Sequence, residues 1–547
     1  MNKQQQKKSP QNNKTNYSSQ KKSLPIFAYP ILIALFTFLI YSSARNNDFT
    51  NWDDKEYVTE NPYIKDLNIK EEFKREHMGN YHPLAMISLA LDYNGKEFDA
   101  KTFHTTGIII HILASIMVFY FVNLLTRNKI TGFIASLLFA LHPMHVESVA
   151  WISERKDVLY GFFLLCALFT YVKYVTRLPS PKVDARDIRL YLIFTICFLL
   201  SLFSKAQAVV FPILCLLIDY YKDRKITRKV ILEKVPLFIV SIIFGIVAIK
   251  AQAKFEAIQD SSIYSYFDRI LFSGYGVFTY LWKLILPMDL STFYPYPLKI
   301  NGAYPPIFYI APFVTAAFIF VVWKFLRHKK IIVFGTLFFL FSIALVLQIL
   351  PVGGAVIADR YTYIPYLGLF ILIAHYLTPY YNPETRKTNA GGIFIATIAI
   401  VLFSFITWQR IGVWKDSVTL WKDAESKSKI APKIYSNLGD AYLAAKVYDS
   451  ALIYLNEAVR LKSDWYEALY NRGLVFYFQK KYKEAIDDYT LAIKYNPKLA
   501  RAYFNRSGTY YTIGQTKLAL DDALKAKQLG YTVDDKYIEV LQLGLPK

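Results

Sequence analysis

Eleven apolar runs of near membrane-spanning length leave this chain few ways to fold. They occupy 24–41, 103–125, 130–150, 157–175, 189–204, 206–221, 235–251, 306–326, 331–350, 361–378 and 391–409. A helix needs about 20 mainly apolar residues to cross a hydrocarbon layer of about 30 Å. Inside that layer every backbone N–H and C=O must find its partner within the protein, which a helix provides by itself. An all-α, polytopic membrane domain of about eleven transmembrane helices is therefore expected over 24–410. A further stretch, 270–286, carries Gly274, Gly276 and Lys283 and ends at Pro287, so it reads as a re-entrant or interfacial helix. The segment 83–93 is short, and a polar Asn94-Gly95-Lys96 follows it. It reads as a helix lying in the membrane interface beside the first loop.

A formal net charge of +22 on 547 residues would ordinarily suggest nucleic acid. Here the cations sit in short links between apolar runs, at Arg127, Lys129, 173–189, 222–234, 324–330 and Arg386-Lys387. Membrane topology asks for that distribution on the cytoplasmic side, so a nucleic-acid partner is set aside. The tail 1–23 has lysines and no acidic residue, and is expected to be a disordered cytoplasmic segment. The run 24–41 lacks a small-residue cleavage site and reads as an uncleaved first span. An odd number of spans then returns the C-terminus to the face that carries Asp53. Cys166, Cys197 and Cys215 all fall within apolar segments and read as small buried hydrophobes rather than a disulfide framework.

From 432 onward the pattern changes. Gly439, Gly473 and Ser507 recur every 34 residues, as do Ala451, Ala485 and Ala519, then Ala458, Ala492 and Ala526. Tyr442, Phe476 and Tyr510 follow the same period, and Pro497 closes the second unit. Small residues at this spacing, where paired helices touch, are the tetratricopeptide pattern. Three such repeats over 432–547, joined by a linker helix at 411–431, predict a separable α-solenoid whose concave face can hold a peptide or a partner protein.

Residues able to carry chemistry gather where spans emerge on the face opposite the basic links. Asn51-Trp52-Asp53-Asp54 follows the first span. An aspartate there is ionised at neutral pH and can act as a base. His142, His145 and Glu147 lie in one short stretch after the third run, suited to hydrogen-bonding a sugar or phosphate, or to holding a divalent metal. Arg155, Lys156 and Asp157 stand at the mouth of the next run. Asp359, Arg360 and Tyr361 precede a later one, and positive-inside pressure does not account for Arg360. Its guanidinium suits a lipid phosphate.

These stretches resemble a known family. Tyr81-His82-Pro83-Leu84, LFALHPMHVESVAWISERKDVL (138–159), PVGGAVIADRYTYIPYLG (351–368) and VWKDSVTLWKDA (413–424) are similar to segments of the TMTC-type transmembrane and tetratricopeptide-repeat O-mannosyltransferases, particularly their bacterial relatives. The resemblance implies a GT-C membrane glycosyltransferase fold and a polyprenyl-phosphate sugar as donor. Trp52-Asp53-Asp54 is similar to the Trp-Asp-Glu of protein O-mannosyltransferases, with Asp in place of Glu. That similarity implies Asp53 as catalytic base with Asp54 beside it. Substrate binding is then expected from His82, His142, His145, Glu147, Arg155, Asp157, Asp359, Arg360 and Tyr361.

The expected activity is inverting transfer of a hexose, mannose first, to Ser or Thr hydroxyls of extracytoplasmic proteins. No particular cofactor is implied, and a divalent metal is possible. The bacterial match points to the inner membrane, and a eukaryotic origin would point to the endoplasmic reticulum. Two other readings are a membrane-anchored repeat scaffold and a lipid-linked-sugar transporter. A scaffold needs only one tethering helix, and a transporter would carry its ionisable residues deeper within the spans.

Overall fold

The computed structural model describes residues 24–93, 95, 97–177, 184–255, 264–349, 353–378 and 390–544. The tail 1–23, Asn94, Lys96, Pro351, Val352 and Arg386-Lys387 lie outside the described residues, as does part of the link 173–189.

Seven described helical segments are long and apolar enough to cross a membrane: Ala28–Asn46, Ala100–Thr126, Ile152–Arg177, Ala185–Ser204, Arg228–Lys254, Ile307–Leu326 and Gly391–Trp414. Their outward faces are apolar, as at Ile239, Ile242, Ile243 and Ile246, which suits lipid and not water. Lys129–Leu141 and Pro143–Ala150 make an eighth if the pair, bent by 56°, is one span. The bend falls where Pro143 cannot donate to a continuing helix.

The expected count of eleven is reached only with three shorter apolar helices, Ala206–Tyr221, Lys330–Val346 and Pro365–Leu377. At about 1.5 Å per residue these fall short of a full crossing. The first two carry 3-10 turns at one end, Ala206–Val210 and Ala344–Val346. The third follows another, Asp359–Thr362.

Two helices outside the long spans are regular. The 270–286 stretch is an unbroken helix, Tyr266–Ile285, opened by a Ser265/Asp268 capping box. It buries Leu271, Phe272, Val277, Tyr280 and Leu284 and leaves apolar Ile270, Trp282 and Ile285 exposed, so it is continuous, without the break of a re-entrant loop. Gly274 lets it approach Pro312 of the next helix, where a Cβ would stand 2.6 Å away. The helix Pro83–Asp92 packs its apolar face on protein. Ala85, Met86, Ile87, Leu89 and Ala90 are buried, and Met86, Leu89 and Ala90 pack with Tyr57, Val58, Phe103 and Ile152. Its apolar face is covered by protein, so lipid is not needed to bury it.

The strands among the described residues form one antiparallel pair, in which Tyr294–Pro295 meets Ala355–Ile357, beside isolated bridges at His77–Asn80 and Ile300–Ala303.

The repeats form three helix pairs, Pro432–Ala444 with Tyr448–Leu461, Tyr466–Phe478 with Tyr482–Tyr495, and Ala500–Thr512 with Thr516–Gln528, closed by Asp535–Leu543. The small residues do what their spacing predicts. A Cβ on Gly439 would collide with Leu455, and one on Gly473 with Tyr489. Ser507 fits by donating to the Ala519 carbonyl at 2.6 Å. The change of sequence character at 432 is not a break in packing, however. Ala431, Ile434 and Leu438 belong to the same buried cluster as Trp414 and Trp421 at the end of the last span.

Candidate active site

The loop after the first span is pinned before it reaches the aspartates. Asn47 donates to the Ile411 carbonyl at 3.1 Å, and the Asp48 N–H donates to the Lys415 carbonyl at 2.8 Å. Asn51 then binds four partners from the far end of the chain. Its N–H reaches Ser417 Oγ at 2.9 Å, and its Oδ1 accepts from Trp421 Nε1 at 2.9 Å. Its Nδ2 donates to the Asn437 carbonyl at 2.9 Å and to Asp440 Oδ2 at 2.8 Å. Lys55 also pairs with Asp440, at 3.0 Å. This loop and the first repeat therefore stand on one side of the membrane, which requires an even number of crossings between them.

The two aspartates have different surroundings. Asp54 is buried and saturated: Oδ2 accepts from Thr50 N–H at 2.8 Å and Thr50 Oγ at 3.0 Å, and Oδ1 from Ser153 N–H at 3.0 Å and Ser153 Oγ. It joins the loop to the mouth of the Ile152–Arg177 helix. Asp53 is half-buried, and its carboxylate accepts no hydrogen bond among the described residues. Burial pushes its pKa up. Lys433, Lys156 and Arg360 pull it back, while Glu154 adds to the rise. Burial also raises Asp54, against the hydrogen bonds from Ser153 and Thr50.

Around Asp53 stand aromatic rings and a cluster of charges. Trp52 stacks on Trp151 at 4.5 Å and lies 5.1 Å from Trp421, 6.2 Å from Trp414 and 6.1 Å from Phe293. Arg360 binds Glu147 through Nη1 and through its own N–H at 2.9 Å, and Glu154 through Nε at 3.2 Å. Lys156 meets Glu154 at 3.2 Å, and Lys205 bridges Glu154 at 3.5 Å and Asp157. Asp157 also accepts from Ser148 at 2.9 Å. Tyr361 places its ring 5.1 Å from the Arg360 guanidinium. Three cations thus balance three carboxylates. Such a network holds its members in fixed positions and keeps a developing negative charge nearby from being costly.

Several expected substrate ligands are used elsewhere. Arg155 does not face the cluster. Its guanidinium donates to Ser88 at 3.0 Å, Asp92 at 2.8 Å and the Phe103 carbonyl at 2.6 Å, which ties Pro83–Asp92 to its neighbours. His142 turns Nε2 to the Leu284 carbonyl at 3.1 Å and accepts from Met144 N–H at Nδ1, and His145 donates to the Phe139 carbonyl at 2.7 Å. Both are buried among Tyr366, Phe370 and their neighbours, so they brace the bend instead of meeting a sugar. Among the described residues no three His, Cys, Asp or Glu side chains converge as a metal cage. His82 is buried 5.4 Å from the Tyr57 ring, with its Nδ1 unpartnered among the described residues. Asp359 accepts from the Tyr294 hydroxyl at 2.8 Å rather than pairing with Arg360.

The chain also brings to this place residues that its sequence did not single out for it: Ser153, Lys205, Lys433 and the indoles of Trp151, Trp414 and Trp421. The three indoles do fall inside the motifs 138–159 and 413–424, where they could have been flagged as aromatic partners for Trp52.

Tetratricopeptide-repeat family models match residues 432–464 and 466–499. A protein O-mannosyl-transferase of Caenorhabditis elegans is 24% identical over 429 residues, covering 75% of this chain and 59% of that protein. Human protein O-mannosyl-transferase TMTC3 is 24% identical over 465 residues, covering 78% of this chain and 49% of its own length. The chain thus spans roughly half to three-fifths of the length of these relatives. Among solved structures, an Archaeoglobus fulgidus oligosaccharyltransferase aligns with 78% of this chain and 58% of its own, at 14% identity and a TM-score of 0.40. Along most of its length, then, this repeat-bearing membrane protein is homologous to the TMTC-type protein O-mannosyltransferases, as its motifs implied.

Proposed function

We propose that this protein transfers mannose, with inversion, from a polyprenyl phosphate to Ser or Thr hydroxyls of extracytoplasmic proteins on a GT-C-type membrane scaffold. The observation that carries the reading is the inequality of the two aspartates. Asp54 is saturated by Thr50 and Ser153 and fixes the loop, whereas Asp53 presents an unbonded carboxylate beside the cations Lys156, Arg360 and Lys433. A base must be free to accept a proton, and a raised pKa makes a carboxylate a stronger one. The similarity to proteins named protein O-mannosyl-transferases supplies the sugar and the acceptor class.

In this reading the acceptor oxygen attacks the anomeric carbon as its proton passes to Asp53. The bond from that carbon to the phosphate oxygen breaks, and the lipid phosphate leaves with the electron pair. Arg360 and Lys156 lower the cost of that negative charge. Each already has a carboxylate partner, so the site carries little net charge before substrate arrives. The lipid tail stays in the bilayer, and the later repeats present the protein acceptor. The extracytoplasmic side follows from the basic links opposite this face.

The test is transfer by purified protein from a panel of polyprenyl-phosphate hexoses to Ser/Thr peptides, read by mass spectrometry. Mannose transfer is expected, with Asp53→Asn slowing turnover by about 10²–10⁴-fold and leaving lipid-donor affinity unchanged. A well-folded Asp53→Asn protein with normal turnover overturns the base. Transfer from a nucleotide sugar alone overturns the donor.

A further inference from the structure

The first repeat not only docks on the catalytic loop but places a charge beside Asp53. Lys433 is the second residue of Pro432–Ala444, and its Nζ lies 5.7 Å from the ring centres of both Trp52 and Phe293. It is half-buried and makes no hydrogen bond or ion pair among the described residues. Helix formation does not explain it, because a cation in a first helical turn opposes the helix dipole. Nor does the repeat, since the same register holds Glu467 and Arg501 in the next two units. What holds the ammonium is a pair of aromatic faces, which attract a cation without neutralising it.

The other charges facing Asp53 differ in this respect. Lys156 and Glu154 come from the Ile152–Arg177 segment and bind each other, and Arg360 binds Glu147 and Glu154. Glu56 and Tyr57 follow Asp53 on its own loop and do not stabilise its charge. Among these cations only Lys433 lacks a carboxylate of its own in the described structure. Like Lys156 and Arg360, it pulls the Asp53 pKa down against burial.

We propose that Lys433 is a positioning residue of the active site: carried in by the first repeat, it favours the ionised Asp53 carboxylate while that repeat is docked. The proposal rests on the reading of Asp53 as the base. The docking contacts, Asn51 and Lys55 on Asp440 with Asn51 on the Asn437 carbonyl, fix the helix register that delivers the ammonium.

The test uses the full chain in detergent or nanodiscs, as wild type, Lys433→Met, Lys433→Gln and Lys433→Arg. A hydrophobic carbodiimide modifies carboxyl groups in their protonated form, and peptide mass spectrometry reads the labelling of Asp53 against pH, with unfolding temperatures confirming the fold of each variant. Removing the cation favours the protonated acid, so the labelling midpoint should rise by about one pH unit in the Met and Gln variants and return in Lys433→Arg. With donor and acceptor present, the acid limb of kcat/KM should move by the same amount, about tenfold in rate below the midpoint.

A midpoint unmoved in either folded neutral variant overturns the proposal, as does failure of Lys433→Arg to restore it. The labelling readout needs no turnover. Should the wild type transfer no sugar while the midpoint still moves, the transferase reading falls and the Lys433–Asp53 linkage stands.

Discussion

The first repeat and the two that follow share one backbone unit but differ in what they press against. In the later two, Arg472 grips Asp488 and Arg506 grips Asp522 across the helix pair, each by two bonds of 2.7 to 2.9 Å. One period earlier the same positions hold Leu438 and Tyr454. Leu438 is fully buried with Trp414 and Trp421, and Tyr454 packs against that cluster. An unpaired arginine there would be costly, so hydrocarbon replaces the ion pair where the repeat meets the membrane domain. The period of a repeat reports its shape, and its departures from the period report its neighbours.

That contrast can be broken most sharply by truncation. A chain ending at 431 loses two of the four partners of Asn51, Asn437 and Asp440, and the helix that carries Lys433. Its turnover should fall as far as that of Asp53→Asn, by about 10²–10⁴-fold. A chain ending at 465 keeps both, and should transfer to short peptides at near the intact rate while losing selectivity for folded acceptors. Equal collapse of both truncations in a transfer assay would erase the distinction.

The next effect exchanges the two kinds of contact. Leu438→Arg buries an unpaired charge and should cost about 3–5 kcal/mol, together with turnover. Arg472→Leu strands the buried Asp488 and should cost about 1–3 kcal/mol, confined to the later repeats and without effect on transfer. Thermal unfolding beside the transfer assay separates them.

A third effect is in pH. Because burial raises the Asp53 pKa, the carboxyl stays protonated to a higher pH than an ordinary aspartate, and only the ionised form accepts a proton. On acidification kcat/KM should therefore begin to fall above the usual value of about 3.9, tenfold for each further unit. A limb at or below that value would contradict the burial seen here. The smallest effect is at the rim of the dock. Lys55 is about a third exposed where it pairs with Asp440, and Lys55→Ala should cost no more than about 1 kcal/mol.

Much of this was legible in the chain because it depends on local spacing. The apolar runs, the 34-residue period and the aspartate pair each sit within one stretch, and each recurs in the fold as an element of the expected kind. The roles of single side chains were less legible because they depend on direction. Arg155 and Arg360 are the same residue type at two helix mouths, yet one ties down Asp92 and the other joins the acidic cluster beside Asp53. His142 and His145 looked like ligands until the bend at Pro143 turned their nitrogens toward backbone carbonyls. Lys205 and Lys433 carried no local signal, since their partners lie about 50 and 380 positions away in the chain.

The side chain of Asn51 is held by groups that are synthesised 386 and 389 residues after it. At a ribosomal rate of about 5–20 residues per second, the loop waits roughly 20–80 s for them. For that interval the nascent chain has its base but not the brace that sets it. The loop reaches its final hydrogen bonds only once the first repeat has been made.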